Sequence, residues 1–198
     1  EGMARRGCRV AGVDICPMAS ECARASAARN GLAIDYAVCD YVDLRAEHSA
    51  DMAILAYCDY GALPEKSRGK LMRNVKGLLR PGGIFVLDVF SARHYENARE
   101  LRSWDVASSG GLWTAEPHVC LRERKKYRNH VLLDRYIVQT SSRVKAYNIW
   151  TTCFGPESLA REAANAGFTV IDITGSIAGD AFDPAGDTIC VVLRGNEQ

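Results

Sequence analysis

The run Leu79-Arg80-Pro81-Gly82-Gly83-Ile84-Phe85-Val86-Leu87-Asp88-Val89-Phe90 decides how this chain is read. Pro81 lacks a backbone donor and Gly82-Gly83 permit a sharp change of direction, so a helix arriving from upstream stops here. From Ile84 onward the residues are apolar except Asp88, the pattern of a strand covered on both faces. Immediately upstream, Leu71, Val75, Leu78 and Leu79 fall at helical spacing within residues 66–79. A helix running through a proline-glycine turn into a fully buried strand is half of a parallel crossover unit.

The same rhythm extends towards the N-terminus. Cys8 to Ile15 reads as a short strand, Ala19 to Asn30 as a helix entered near Pro17 and stopped at Asn30-Gly31. Ile34 to Cys39 and Met52 to Tyr57 read as two more strands. Strands alternating with helices predict an α/β fold with a parallel sheet. From Gly111 to about Tyr147 the pattern changes to short alternating stretches, with a turn near Arg128-Asn129, which predicts an antiparallel β insert. A helix over Ser158 to Ala166 and strands at Phe168 to Ile173 and Ile189 to Leu193 follow. A loop rich in Gly, Asp and Pro (Gly179 to Asp187), the tip of a hairpin or a lid, precedes the last strand. One domain over residues 1–198 is expected, with a core of 1–92 and 150–198 and an insert of about 93–149.

Composition narrows the function. In 198 residues, 25 basic and 24 acidic side chains leave a net charge of +1, which supplies no field to hold nucleic acid or an anionic membrane. Even Arg122 to Arg128 is broken by Glu123 and reads as a solvated strand face. The eight cysteines include no C-x-x-C pair and the four histidines no H-E-x-x-H, so neither a disulfide framework nor a metal site is expected. No apolar run is long enough to span a bilayer, and residues 1–6 lack the apolar core of a signal peptide. A cytoplasmic protein with free thiols is the reading.

Two acids close consecutive strands. In open α/β sheets ligands bind outside the carboxyl ends of the strands. Asp14 is placed to accept hydrogen bonds from both hydroxyls of a ribose, and Asp40 from an exocyclic amine such as that of adenine. Ile15 and Met18 supply apolar contact for a purine, and Tyr41 a main-chain N–H. Either acid alone reads first as a local cap or a loop charge; the two together favour a nucleoside.

Arg9 to Pro17, then Cys39-Asp40-Tyr41, then Leu79 to Asp88 resemble, in order and spacing, the class I S-adenosylmethionine-dependent methyltransferases. Ala166-Gly167-Phe168 and the strand Thr188 to Arg194 are similar to that family's closing segment. The resemblance covers most of residues 1–90 and 150–198. It implies a Rossmann-like methyltransferase sheet, mostly parallel with a reversed last strand, and an enzyme that uses S-adenosylmethionine to methylate a small-molecule acceptor. Asp14 would then hold the ribose, Ile15 and Met18 pack on the adenine, and Asp40 and Tyr41 read its edge. Tyr57, in the loop from Ala56 to Asp59, would lie beside the methionine portion. Asp59 would be the catalytic group facing the acceptor, with Tyr60 beside it. Trp113, Tyr147 and Trp150 of the insert would line the acceptor pocket, where aromatic faces suit a flat or cationic molecule.

One departure from the family's pattern is large. Its first strand and glycine-rich loop would precede Cys8, yet only seven residues do, and no G-x-G occurs in the chain. The missing strand would lie at the sheet centre, between the strands ending at Asp14 and Tyr57. Residues 1–198 alone are therefore expected to bind S-adenosylmethionine weakly or not at all. An N-terminally incomplete enzyme is the preferred explanation; a homodimer that fills the gap by exchange is the other. Two further functions stay open: a non-catalytic binding or assembly module with this fold, and an NAD-dependent oxidoreductase, since Asp14 also suits the ribose of NAD.

Overall fold

The computed structural model describes residues 1–45 and 47–196. Its elements, in chain order, are α1 (Gly2–Arg5), β1 (Val10–Asp14), α2 (Pro17–Arg29), β2 (Ile34–Val38) and β3 (Ala50–Leu55). A 3₁₀ turn (Asp59–Ala62), α3 (Glu65–Leu78), β4 (Leu79–Phe90) and α4 (Ala92–Asn97) follow. Then come β5 (Leu101–Ala107), β6 (His118–Tyr127), β7 (Val131–Gln139), β8 (Val144–Thr152), α5 (Pro156–Asn165), β9 (Phe168–Thr174) and β10 (Thr188–Gly195).

The proline-glycine turn works as its residue types require, with one difference. β4 begins at Leu79, already paired with Ala50, two residues before Pro81. The register with β3 then slips between Ala50 and Met52, so Pro81 and the glycines bulge out of the ladder where a missing N–H costs nothing. Gly82 has a left-handed backbone (φ +77°), and a Cβ on Gly83 would stand 2.9 Å from the Arg80 carbonyl oxygen and 3.2 Å from that of Asp51. No other residue type fits both positions without strain.

The strands form three sheets, ordered β1-β2, β3-β4-β10-β9 and β5-β6-β7-β8. β1 pairs with β2 and β3 with β4 in parallel, while β10 runs antiparallel to both β4 and β9. In that sheet, therefore, β10 alone runs against β3, β4 and β9. Among the described residues β1 has no partner but β2, and β3 none but β4. The insert is an antiparallel meander whose β6–β7 hairpin turns with left-handed backbone at Asn129 and His130.

The core sits between the second sheet and helices α3 and α5. Leu71, Met72 and Val75 of α3 and Leu159 and Ala163 of α5 pack against Phe85, Leu87 and Val89 of β4, Phe168 of β9, and Val191 and Leu193 of β10. Burial of this contiguous apolar cluster, at about 25 cal/mol per Å² removed from water, is the main force that fixes β3 and β4 side by side. Their carboxyl ends, followed by Ala56–Asp59 and Ser91, are held on that rigid base.

Candidate active site

The strand tips bring the candidate acids together. Asp14 faces Val38 in the β1–β2 register, and the Cys39 N–H donates to the Asp14 carbonyl at 3.1 Å, so Asp14 and Asp40 end neighbouring strands. Each carboxylate has one oxygen committed locally. Asp14 Oδ1 accepts the Cys16 N–H at 2.7 Å, and Asp40 Oδ1 accepts the Val42 N–H at 2.8 Å. These turns orient the side chains, as aspartates do at such positions. Among the described residues neither Oδ2 has a hydrogen-bond partner. Capping and ligand binding are therefore compatible in the same side chain. Beside them Ile15 and Met18 are 66% and 72% exposed, an unusual place for two large apolar side chains.

Tyr41 links this pair to the loop after β3. Its hydroxyl donates to Asp59 Oδ2 at 3.3 Å. Burial pushes the phenol up to about 12, reinforced by the negative charge of Asp59 and, more weakly, of Asp40 and Asp14. Burial also raises the Asp59 carboxyl; the hydrogen bond from Tyr41 opposes that shift, and the charges of Asp14 and Asp88 add to it. Asp14, Asp40 and Asp59 thus share one electrostatic neighbourhood around Tyr41, and Asp88 joins it through Asp59. A ligand rich in donor hydrogens, or carrying positive charge, suits such a concentration of acceptors. Tyr41→Phe removes the donor that favours ionised Asp59, so the Asp59 carboxyl is expected to titrate still higher, read by carbon-detected NMR titration. Because the folded-state value lies above the ordinary one, stability is lost as pH rises from the usual carboxylate range through the raised value. That window should widen upward in the variant; an unchanged or lower Asp59 value refutes the link.

The loop itself is bent. Tyr57 and Cys58 have left-handed backbones (φ +69° and +60°), and the Cys58 N–H donates to Asp88 Oδ1 at 2.8 Å. Tyr57 stands 93% exposed. Cys58 points inward, and burial first, then Asp88, pushes its thiol up to about 12, which removes it as a nucleophile near neutral pH.

Tyr60 departs from the expectation that it faces an acceptor. It is fully buried, packs on Phe154 at 5.7 Å between ring centroids, and donates its hydroxyl to Glu162 Oε2 at 2.7 Å. Arg68 grips the same carboxylate from Nε (2.9 Å) and Nη2 (2.7 Å) and donates from Nη1 to the Leu63 carbonyl at 2.8 Å. The 3₁₀ turn directs the ring to the core because burying it against Phe154 and satisfying its hydroxyl there outweighs exposing it. Tyr60 anchors Asp59 from behind.

The three insert aromatics do not share a surface. Trp113 stacks on Tyr147 (4.9 Å) and meets Tyr136 (4.8 Å), which lies opposite Tyr147 across the β7–β8 ladder. Trp150, three residues along β8, faces the other side of the sheet, where it packs on Tyr127 at 5.3 Å. There it borders an open cavity of about 1080 Å³ whose walls include Leu63, Pro64, Phe154, Glu157 and Arg161.

Residues not singled out from sequence also shape the site. Asp88 had a signal, the one acid in an apolar run. Arg68 and Glu162 had none, being 94 residues apart.

A family model described as "Methyltransferase domain" matches residues 1–83. The CcbJ methyltransferase from Streptomyces caelestis superposes with a TM-score of 0.75 at 19% identity, over 98% of this chain and 78% of that one. The fold is that of a class I S-adenosylmethionine-dependent methyltransferase. This methyltransferase fold is shared by the glycopeptide N-methyltransferase MtfA complexed with S-adenosylmethionine (TM-score 0.60, 16% identity, 96% of this chain and 79% of that one). It is shared too by the sugar N-methyltransferase KedS8 from a Streptoalloteichus species (TM-score 0.56, 17% identity, 98% and 83%). No curated protein sequence matches the chain.

Proposed function

We propose that the protein is an S-adenosylmethionine-dependent methyltransferase acting on a small-molecule acceptor. The observation that carries this reading is the pair Asp14 and Asp40, at adjacent parallel strand tips, each with one oxygen held by its own turn and the other without a hydrogen-bond partner among the described residues. The donor set fits the cofactor: Asp14 for the ribose hydroxyls, Ile15 and Met18 for the adenine faces, Asp40 with the Tyr41 main chain for its edge, and Tyr57 for the methionine portion. A small-molecule acceptor is supported by the kinds of protein that share the fold, among them a sugar N-methyltransferase and a glycopeptide N-methyltransferase.

When bound, S-adenosylmethionine supplies a methyl group made electrophilic by its sulfonium. The chain's own task is to bring an acceptor lone pair into line and to exclude water, which accounts for much of the rate in such a displacement. Asp59 is the group that takes the acceptor's proton, and its raised carboxyl makes it a better base than an exposed aspartate. Trp113 and Tyr147 together form the aromatic wall offered to an acceptor. All eight cysteines are free, which fits a reducing cytoplasm. No helix among the described residues is long and apolar enough to cross a membrane.

Calorimetric titration of the full-length protein with S-adenosylhomocysteine tests the cofactor site. Asp14→Ala and Asp40→Ala should each weaken binding about tenfold, the loss of a hydrogen bond to a charged group worth about 1.5 kcal/mol. Affinity unchanged from wild type in both variants would remove the reading, as would preference for NADH. Release of S-adenosylhomocysteine against a panel of amino sugars and small amines, with tRNA as control, then tests the acceptor class.

A further inference from the structure

The turn at Tyr57–Cys58 is energetically out of place. Left-handed backbone is rare in side chains other than Gly, Asn and Asp, and here two such residues are consecutive. Strain of this kind persists only where surrounding structure enforces it. Three features enforce it. The Cys58 side chain is buried; its carbonyl accepts the Gly61 N–H at 3.2 Å; and its N–H is held by Asp88 at 2.8 Å. Asp88 is itself immobile, since its strand pairs on both sides: the adjoining Leu87 faces Leu55 of β3, and Asp88 faces Cys190 of β10.

We propose that Asp88 is a positioning residue that locks the left-handed Tyr57–Cys58 turn through the Cys58 N–H and so aims Tyr57 and Asp59 at the site. The inference rests on the methyltransferase reading for what Tyr57 and Asp59 do, but not for how they are held. A polar side chain in the midst of an apolar strand loses hydration, and among the described residues it has one hydrogen-bond partner that repays it, the Cys58 N–H, which the strained turn leaves without a backbone acceptor. Released from Asp88, Cys58 is free to return to the right-handed region. Tyr57 and Asp59, its direct neighbours in the chain, swing with it, and the Tyr41–Asp59 hydrogen bond opens.

Asp88→Asn keeps a carbonyl oxygen for the Cys58 N–H, whereas Asp88→Ala does not. Amide exchange at Cys58, followed by NMR, should be at least tenfold faster in Asp88→Ala and unchanged in Asp88→Asn. Affinity for S-adenosylhomocysteine should fall about tenfold in the alanine variant and be restored in the asparagine variant, a rescue that loss of general stability would not produce. An unchanged Cys58 amide in Asp88→Ala, or Asp88→Asn behaving like alanine, overturns the proposal. If Asp88→Ala does not fold, Asp88→Asn decides alone: a protected Cys58 amide supports the lock and an exposed one refutes it. Full-length wild-type protein that ignores S-adenosylhomocysteine while Cys58 exchange follows this pattern would instead refute the cofactor reading and leave the lock standing.

Discussion

Glu162→Ala is expected to lower the thermal unfolding midpoint by roughly 6–12 °C, the largest single effect in the core. The Arg68 side chain is only 8% exposed, and Glu162 is its bidentate partner. Removing one member of a buried pair leaves an uncompensated charge and typically costs about 3–5 kcal/mol. Glu162 is 27% exposed, so water reaches the pair and the lower end, about 3 kcal/mol, applies. A domain of this size loses about 2–4 °C per kcal/mol. The Tyr60 hydroxyl loses its acceptor in the same step, although Arg68 still lies over the Tyr60 and Phe154 rings at 5.7 and 5.2 Å. Arg68→Met combined with Glu162→Leu removes both charges and should cost less than Glu162→Ala alone, because no ion is left stranded. Thermal denaturation of the variants checks this; a double variant worse than the single would show that the pair contributes net stability.

Gly61→Ala should be nearly as damaging, for a steric reason. A Cβ on Gly61 would stand 2.5 Å from the Thr152 carbonyl oxygen, and the obstacle is backbone at the end of β8 rather than a flexible side chain. Either the 3₁₀ turn or the end of β8 has to retreat. Overpacking of this kind costs about 1–3 kcal/mol, and the rigid neighbour places it near the top of that range. The midpoint should fall by roughly 6–10 °C, and amide exchange at Thr152 and Cys153 should accelerate, since the Cys153 N–H is bonded to His130 across the same junction. Unchanged stability would mean that the turn and β8 separate freely.

Local chemistry made much of this molecule readable. The helix stop before Pro81, the alternation of strands with helices, the antiparallel middle and the hairpin turn at Asn129 each depend on residues near one another in the chain, and the structure contains them all. Strand ends moved by one or two residues: β2 stops at Val38 rather than Cys39, and β3 spans Ala50–Leu55 rather than Met52 to Tyr57. The third strand ended early because two left-handed residues cannot continue a ladder. Tyr60 turns into the core rather than towards the site, and an aromatic beside a candidate acid has no local mark of direction. Which way it faces depends on Phe154 and Glu162, about a hundred residues away.

What the sequence determined unaided is therefore the alternation of strands and helices over residues 8–90, the antiparallel insert that follows and the placing of Asp14 and Asp40 at strand tips, since turn chemistry and hydrophobic periodicity act over a few residues; α4 and β5 emerged only with the structure. Only the tertiary structure decided that Tyr41 reaches Asp59, that Asp88 holds Cys58, that Arg68 and Glu162 close behind Tyr60, and that Trp150 parts from Tyr147. Each of those is a contact between distant segments, and it forms where burial leaves a polar group or a ring no better partner.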